Sequence, residues 1–376
     1  MDVTYEPQIT LRKLRSRAPL LASLGIAIVA IAWFASAGAA RAAGAPDTCT
    51  PGPNAGRAKA TVNAGISMSK SSSTGVSHLI TITAARNIWG WQEGGQLVAG
   101  VDTLQQELDA LAAITVPGTG SAEGVPVHFA TVPGYTPNTG SYPAGSTAGN
   151  IYPSFALLSC LRNAYGSEVG MDYGAVYPNS LAGETLAQLK QNTCDTEQTF
   201  INHGFYRSWG AFAYANGQVS STAQTVVASC FGFGRAYGSG VNSLSTLVNA
   251  PYILHTLSLN GGSCSVRGLA CSSVFARTYV PPATITNALV QGARVWSSIQ
   301  FYHLLNGSRQ KGNLTWDCTN PNPAYHWTSR GEFYCESDLT RAISNALTQL
   351  AAGNFLFVDP ATGATIAGRG KPTGAM

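Results

Sequence analysis

The sequence predicts an α+β protein: an N-terminal β-hairpin and helix, then a mainly helical, disulfide-stapled body with a small C-terminal hairpin. Three observations carry this expectation. Apolar residues alternate with period two between residues 62 and 84. They recur at helical spacing through much of 154–352. Eight cysteines follow an apolar export segment, an even set suited to covalent cross-links.

That segment runs from Leu20 to Ala37 and carries no charge. Arg12, Lys13, Arg15 and Arg17 precede it and small residues follow, the layout of a secretory signal. Cleavage is expected after Ala40-Arg41-Ala42, with Ala35-Ser36-Ala37 as the other available site. If uncleaved, 20–37 is a short anchor and the one stretch where membrane contact is expected. In both cases positive charges stay inside and the remaining chain is exported.

The formal charge of +4 overstates how basic the exported part is. Arg12, Lys13, Arg15, Arg17 and Arg41, against Asp2 and Glu6, stand before residue 43, so the remainder is almost neutral. A global nucleic-acid partner is therefore not expected. Charged residues are only 11% of the chain, below the ~25% of an average soluble domain. The surface must be built largely from Ser, Thr, Asn, Gln and Gly.

All eight cysteines are read as disulfide-forming: Cys49, Cys160, Cys194, Cys230, Cys264, Cys271, Cys318 and Cys335. Sequence leaves the pairing open. Two local pairs suggest themselves, Cys264 with Cys271 and Cys318 with Cys335. No C-x-x-C occurs and no histidine stands at ligand spacing, so no metal is expected.

In chain order, 1–42 is the signal or anchor and 43–60 a flexible lead-in. Residues 61–116 hold the hairpin, with Val62, Ala64, Ile66 and Met68 on one face of its first arm and Val76, His78, Ile80, Ile82 and Ala84 on one face of its second, and then a helix capped by Asp102 and Gln105. Residues 117–153 form a Gly/Pro-rich loop with one short strand near Val127–Thr131. Residues 154–366 are the Cys-rich body. A helix follows Ser154, one or two span Leu181 to Trp209 with a break near Cys194, and another covers Thr222 to Phe231. A long helix is expected from Thr284 to Leu305, started by Pro281-Pro282, and a last one from Ser337 to a Gly353 stop. Phe355–Val358 and Ala364–Ile366 read as a hairpin, and 367–376 as a tail.

Motifs that carry chemistry are sparse. Trp89-Gly-Trp91-Gln-Glu93 suggests aromatic faces for a sugar beside a general acid, Glu93. A glycosidase needs a second carboxylate, for which Asp102, Glu168 and Asp172 are available. Gly232-Phe-Gly234-Arg-Ala-Tyr-Gly238 has the wrong spacing for a dinucleotide loop and no acid about 20 residues on, so no cofactor is expected. From Gln198 to Trp316 there is no acid at all. Arg207, Arg235, Arg267, Arg277, Arg294, Arg309 and Lys311 lie in that block, and a single-sign patch there would suit an acidic partner.

Together these features point to an exported bacterial envelope protein, periplasmic or secreted. The expected role is a non-catalytic subunit of a secretion, conjugation or pilus-type assembly, with other envelope proteins or further copies as partners. Two alternatives stand beside it: a cell-wall or polysaccharide-active hydrolase, and an extracytoplasmic ligand- or glycan-binding module.

Overall fold

The computed structural model describes residues 45–58, 76–86, 88–117, 123–138, 148–173, 184–259, 279–311, 314–321, 333–350 and 354–372. The signal segment, the first arm of the expected hairpin, Cys264, Cys271, Arg267 and Arg277 lie outside these residues.

The first strand, β1 (His78–Ala85), is buried along its whole length. After it come a small antiparallel arm, β2 (Gly90–Glu93) with β3 (Gln96–Leu97), and helix α1 (Leu104–Ala112). Thr103 and Gln106 make the capping box of α1, one residue after the expected pair. Strand β4 (His128–Thr131) follows, then β5 (Ala148–Ile151), which joins the arm by pairing with β2. Helix α2 (Phe155–Tyr165) starts where Ser154 Oγ accepts the Leu157 amide and stops at Gly166, whose φ of 61° is left-handed.

The rest keeps the same rhythm. Strand β6 (Val169–Met171) leads to α3 (Leu186–Asn192) and α4 (Cys194–Asn202). Strand β7 (Ala211–Ala213) leads to α5 (Ser221–Cys230), and β8 (Phe233–Tyr237) to β9 (Val241–Ser243) and α6 (Leu244–Asn249). Strand β10 (Leu254–Ser258) precedes α7 (Pro282–Val290), and β11 (Val295–Phe301) follows it. An excursion of short strands comes next, β12 (His303–Leu305), β13 (Ser308–Lys311), β14 (Leu314–Asp317) and β15 (Phe333–Cys335). The chain ends with α8 (Glu336–Gln349), β16 (Phe355–Phe357) and α9 (Pro360–Ile366).

Seven of these strands close a parallel barrel. Around it the order is β1, β4, β6, β7, β8, β10, β11, and β11 pairs back onto β1 from His78↔Val295 to Ala84↔Phe301. The order in space is the order in sequence, with helices between successive strands, so this is a singly wound α/β-barrel. Strand β16 fills the lower edge of β1 opposite His78–Ile80, where β4 does not reach, because β4 begins its pairing at Thr83. Strand β9 runs antiparallel to β11 at Val295–Ser297, below the point where β10 joins at Ile299.

This corrects the expected α+β class and its mainly helical body. The physical reason is double burial. A barrel strand has side chains packed inside and under helices outside, so its apolar residues do not alternate. Strand β11 is buried at all seven positions. The predicted helix from Thr284 to Leu305 therefore breaks in two: α7 ends at Val290, Gly292 turns the chain with φ 85°, and Val295 onward is a strand. The expected C-terminal hairpin is also corrected. Phe355–Phe357 pairs in parallel with β1, and Pro360–Ile366 is a helix, because Asp359 caps it and Pro360 sits at its first position.

Helix α9 stoppers the N-terminal end of the barrel. Ala361, Ala364 and Ile366 pack against Leu79, Trp209, Phe233, Leu254 and Trp296, residues at or just before the starts of five barrel strands. Asp359 is fully buried beneath it. Its carboxylate accepts from the amides of Ala361 and Thr362 and from Arg207 Nη2 at 2.8–3.0 Å. The opposite, C-terminal end of the barrel is where the functional candidates gather.

Three disulfides are present among the described residues: Cys49–Cys160, Cys194–Cys230 and Cys318–Cys335. The third is one of the two local pairs expected. The first fastens residues 45–58 to α2, where Asn54 also donates to Asp109 of α1. By the chain-entropy argument, closing a loop over a separation of 111 residues is worth about 2–5 kcal/mol. A Cys49→Ser/Cys160→Ser double variant is expected to lose that much in urea unfolding, with a steeper slope because the unfolded chain is released to expand. Disulfides of this kind persist in oxidising, extracytoplasmic compartments. Among the described residues no helix is long and apolar enough to cross a membrane.

Candidate active site at the C-terminal mouth of the barrel

Five barrel strands deliver residues to the mouth at their C-terminal ends. Strand β6 ends at Met171 and hands on Asp172, whose amide bonds Thr131 O of β4 at 2.8 Å. Strand β7 hands on Tyr214, β8 carries Arg235 and Tyr237, and β10 carries Thr256. Strand β11 carries Gln300 and hands on Tyr302. These side chains, with Ala213 and Ala236, line one pocket with room for about one water molecule. Gly234 makes room for the Tyr214 ring: a Cβ there would lie 2.5 Å from Tyr214 Oη.

The polar groups are tightly set. Arg235 is 7% exposed, and its Nη1 donates across the barrel interior to Thr83 Oγ1 of β1 at 2.9 Å. The Tyr237 and Tyr302 hydroxyls are 3.1 Å apart. Arg86, the residue after β1, places its guanidinium 4.9 Å from the centre of the Tyr302 ring, a cation–π distance. Its φ is 56°, a left-handed conformation uncommon for a non-glycine residue and often found at functional sites. Tyr135 and Tyr152 stack at 4.9 Å, and Tyr135 packs against the cluster of Ala85, Ile88, Tyr152 and Tyr302.

Asp172 is the carboxylate of this pocket and is 3% exposed. Burial pushes its pKa up to about 6, while Arg86, the Tyr173 amide and Arg235 pull the other way. The Tyr173 amide donates to Oδ1 at 2.9 Å. The carboxyl therefore changes protonation near neutrality, in the field of two guanidinium groups and beside the Tyr237–Tyr302 pair. Burial likewise raises the pKa of Tyr302 and Tyr214, so both act as neutral hydrogen-bonding groups.

A second acidic group does not line the mouth pocket. Asp102 bonds the Leu304 carbonyl through its amide, and Glu107 of α1 accepts the Leu304 amide at 2.9 Å. Glu336, at the start of α8, hydrogen-bonds the Asp102 side chain. Burial, then the neighbouring Glu336 charge, raises Asp102 to about 8, and burial raises Glu336 and Glu107 as well. A raised carboxyl stabilises the fold fully below its unfolded value near 4, and that contribution is lost as pH rises through the folded value near 8. Asp102→Asn keeps the hydrogen bond without the charge. It is expected to flatten the pH dependence of unfolding between about 4 and 8 and to raise stability at pH 8 by about 2–4 kcal/mol. Thermal melts of the two proteins from pH 4 to 9 measure this.

The residues singled out from sequence fall in several places. Glu93 ends β2 on the antiparallel arm, is partly exposed, and does not line the mouth pocket. Trp89 and Trp91 are buried; Trp91 packs edge-on to Phe333 at 5.4 Å. Of the three suggested second carboxylates, Asp102 sits in the acidic group, Glu168 precedes β6 at the opposite end, and Asp172 reaches the mouth. Of the basic block, Arg207 pairs with Asp359, Arg235 enters the mouth, and Arg294 is exposed just before β11. Arg309 and Lys311 lie on β13. The glycine-rich run 232–238 is barrel strand β8.

Sequence reading missed Arg86, Tyr214, Tyr237, Gln300 and Tyr302 as site residues. The available signal was one polar or aromatic residue just after each short apolar run. Among the described residues, no group of three or more His, Cys, Asp or Glu is arranged to hold a metal ion. Fold and site together define a parallel α/β-barrel with a polar, aromatic C-terminal mouth. No known family model matches the chain, and no curated protein is significantly similar to it.

Proposed function

We propose that the protein is an exported, glycan-directed hydrolase of the cell envelope, periplasmic or secreted, that uses the C-terminal mouth of its barrel. The observation that carries this reading is Asp172, a buried carboxyl at a barrel-strand end with its pKa raised to about 6. Parallel α/β-barrel enzymes place their catalytic groups at this end. A carboxyl protonated near neutral pH donates its proton to the oxygen of a glycosidic bond as that bond breaks. The Tyr237–Tyr302 pair and Gln300 supply hydrogen bonds for sugar hydroxyls. Export and low charge fit an assembly subunit equally well; the polar groups that converge on the mouth favour the hydrolase.

The test is release of reducing ends from peptidoglycan and soluble polysaccharides by the purified exported chain. Saturable release supports the reading; none from any substrate overturns it. A glycan-binding module is favoured by one observation: among the described residues Asp172 is the single carboxylate lining the pocket, whereas both standard hydrolytic routes use two. Glycan retention without cleavage decides for that module.

A further inference from the structure

The recess at the mouth is too small for a sugar ring. It has room for about one water molecule, so what enters it is one substituent of the sugar. Phe233, Leu254 and Trp296 point into the barrel against α9, and strand alternation turns Arg235, Tyr237, Thr256 and Gln300 inward with them. The Tyr237 and Tyr302 hydroxyls meet there at 3.1 Å. Arg235 lines the same recess, and its buried Nε has no hydrogen-bond partner. A buried donor without an acceptor is costly, and a recess of this size admits a single acceptor oxygen.

The reaction also asks for a second group. A lone acid protonates the leaving oxygen, and a nucleophile must still reach the sugar carbon C1. Among the described residues Asp172 is the one carboxylate lining the recess. Asp102 and Glu336 bond each other, Glu107 accepts the Leu304 amide, and Glu184 accepts the Tyr173 hydroxyl. The segments 139–147, 174–183 and 260–278, which follow β4, β6 and β10 in sequence, contain no Asp or Glu. Burial keeps the Tyr302 phenol protonated, which makes it a donor and not a nucleophile. A 2-acetamido group on the sugar meets both needs: its carbonyl oxygen is an acceptor of the right size, and it stands within reach of C1.

We infer that the mouth reads the 2-acetamido group of a β-linked amino sugar, and that this group, held by the Tyr237–Tyr302 hydroxyls and Arg235 Nε, is the nucleophile. The inference rests on the hydrolase reading of the same site. One lone pair of the carbonyl oxygen accepts from these donors and another attacks C1, on the face opposite a β-linked leaving group. As the bond from C1 to the leaving oxygen breaks, that oxygen takes the Asp172 proton. A cyclic oxazolinium ion results, beside the Asp172 carboxylate. Water then adds at C1 and gives its proton to Asp172, and the bond from C1 to the acetamido oxygen breaks, which restores the acetamido group. Two inversions at C1 give net retention.

The test uses the full exported chain with chitotetraose, its N-deacetylated counterpart and cellotetraose, which differ only at C2, and with peptidoglycan before and after N-deacetylation. Reducing-end release from the acetylated member of a set is expected to be about 10²-fold or more faster than from the others, with the β-anomer appearing first by NMR. The thiazoline of N-acetylglucosamine, which copies the closed ring, is expected to bind about 10²-fold tighter than N-acetylglucosamine in calorimetry. Tyr237→Phe is expected to weaken the thiazoline about three- to tenfold with an unchanged melting temperature. Glu332 is the one acid after residue 42 that lies outside the described residues, and Glu332→Gln is expected to keep the wild-type rate. Equal cleavage of acetylated and unacetylated members, an α-anomer first, or loss of rate in a stably folded Glu332→Gln each overturns the acetamido nucleophile and keeps the hydrolase. Thiazoline binding that is no tighter than that of N-acetylglucosamine, or unchanged in both Tyr237→Phe and Tyr302→Phe, overturns the recess as its holder. No cleavage of any glycan overturns the inference and the hydrolase together.

Discussion

Asp172→Asn is expected to lower glycan hydrolysis by about 10²–10⁴-fold, the usual contribution of a general acid, while leaving the barrel folded. The substitution is nearly isosteric, and asparagine still accepts the Tyr173 amide that now bonds Oδ1. The wild-type rate should fall as pH rises through about 6, because the acid must carry its proton to donate it. That limb should be missing from the residual activity of the variant.

Stability provides the control. A carboxyl raised from 3.8 to about 6 contributes stability that is fully present below the lower value and lost as pH climbs through the upper one. Above pH 6 the buried charge is a liability, so the asparagine variant should equal or exceed the wild type there, by about 1–3 kcal/mol. Loss of activity with a retained or raised melting temperature identifies chemistry. Full activity in the variant removes Asp172 from the mechanism.

Helices were largely legible in the sequence because their signals are local. Ser154 before Phe155, the break at Thr193 and Cys194, Pro281-Pro282 and the start of α8 all lie within one residue or so of where they were expected. Strands were not, because Val169–Met171 and Ala211–Ala213 are three residues long and buried on both faces. Such runs carry no period to distinguish them from helix. Strand β11 was hidden further, because Ile285, Leu289, Trp296 and Ile299 keep near-helical spacing across the turn at Gly292. The site was hidden with the strands. Asp172 and Tyr302 are 130 residues apart in sequence and meet only because the barrel closes. Trp89 and Trp91 stood out in sequence for the opposite reason: clustered aromatics draw notice, though here both are core.

The same closure makes the far end of the barrel sensitive to a single carboxylate. Asp359→Ala is expected to cost about 3–5 kcal/mol, the range for breaking a buried ion pair from one side. Asp359 is 0% exposed and does two tasks. It caps α9 through the Ala361 and Thr362 amides, and it holds Arg207, whose side chain is 28% exposed. Removing it leaves the first turn of α9 without its acceptor and the guanidinium without its anion. Arg207→Ala should cost less, because the carboxylate keeps both amides and the Thr362 hydroxyl. The double variant should cost less than the sum, since the two changes share one interaction. Urea unfolding of the four proteins measures all three terms. Additive losses would mean that the pair is not coupled. A loss under about 1 kcal/mol for Asp359→Ala would mean that α9 is held by its apolar face alone, through Ala361, Ala364 and Ile366 against the strand starts.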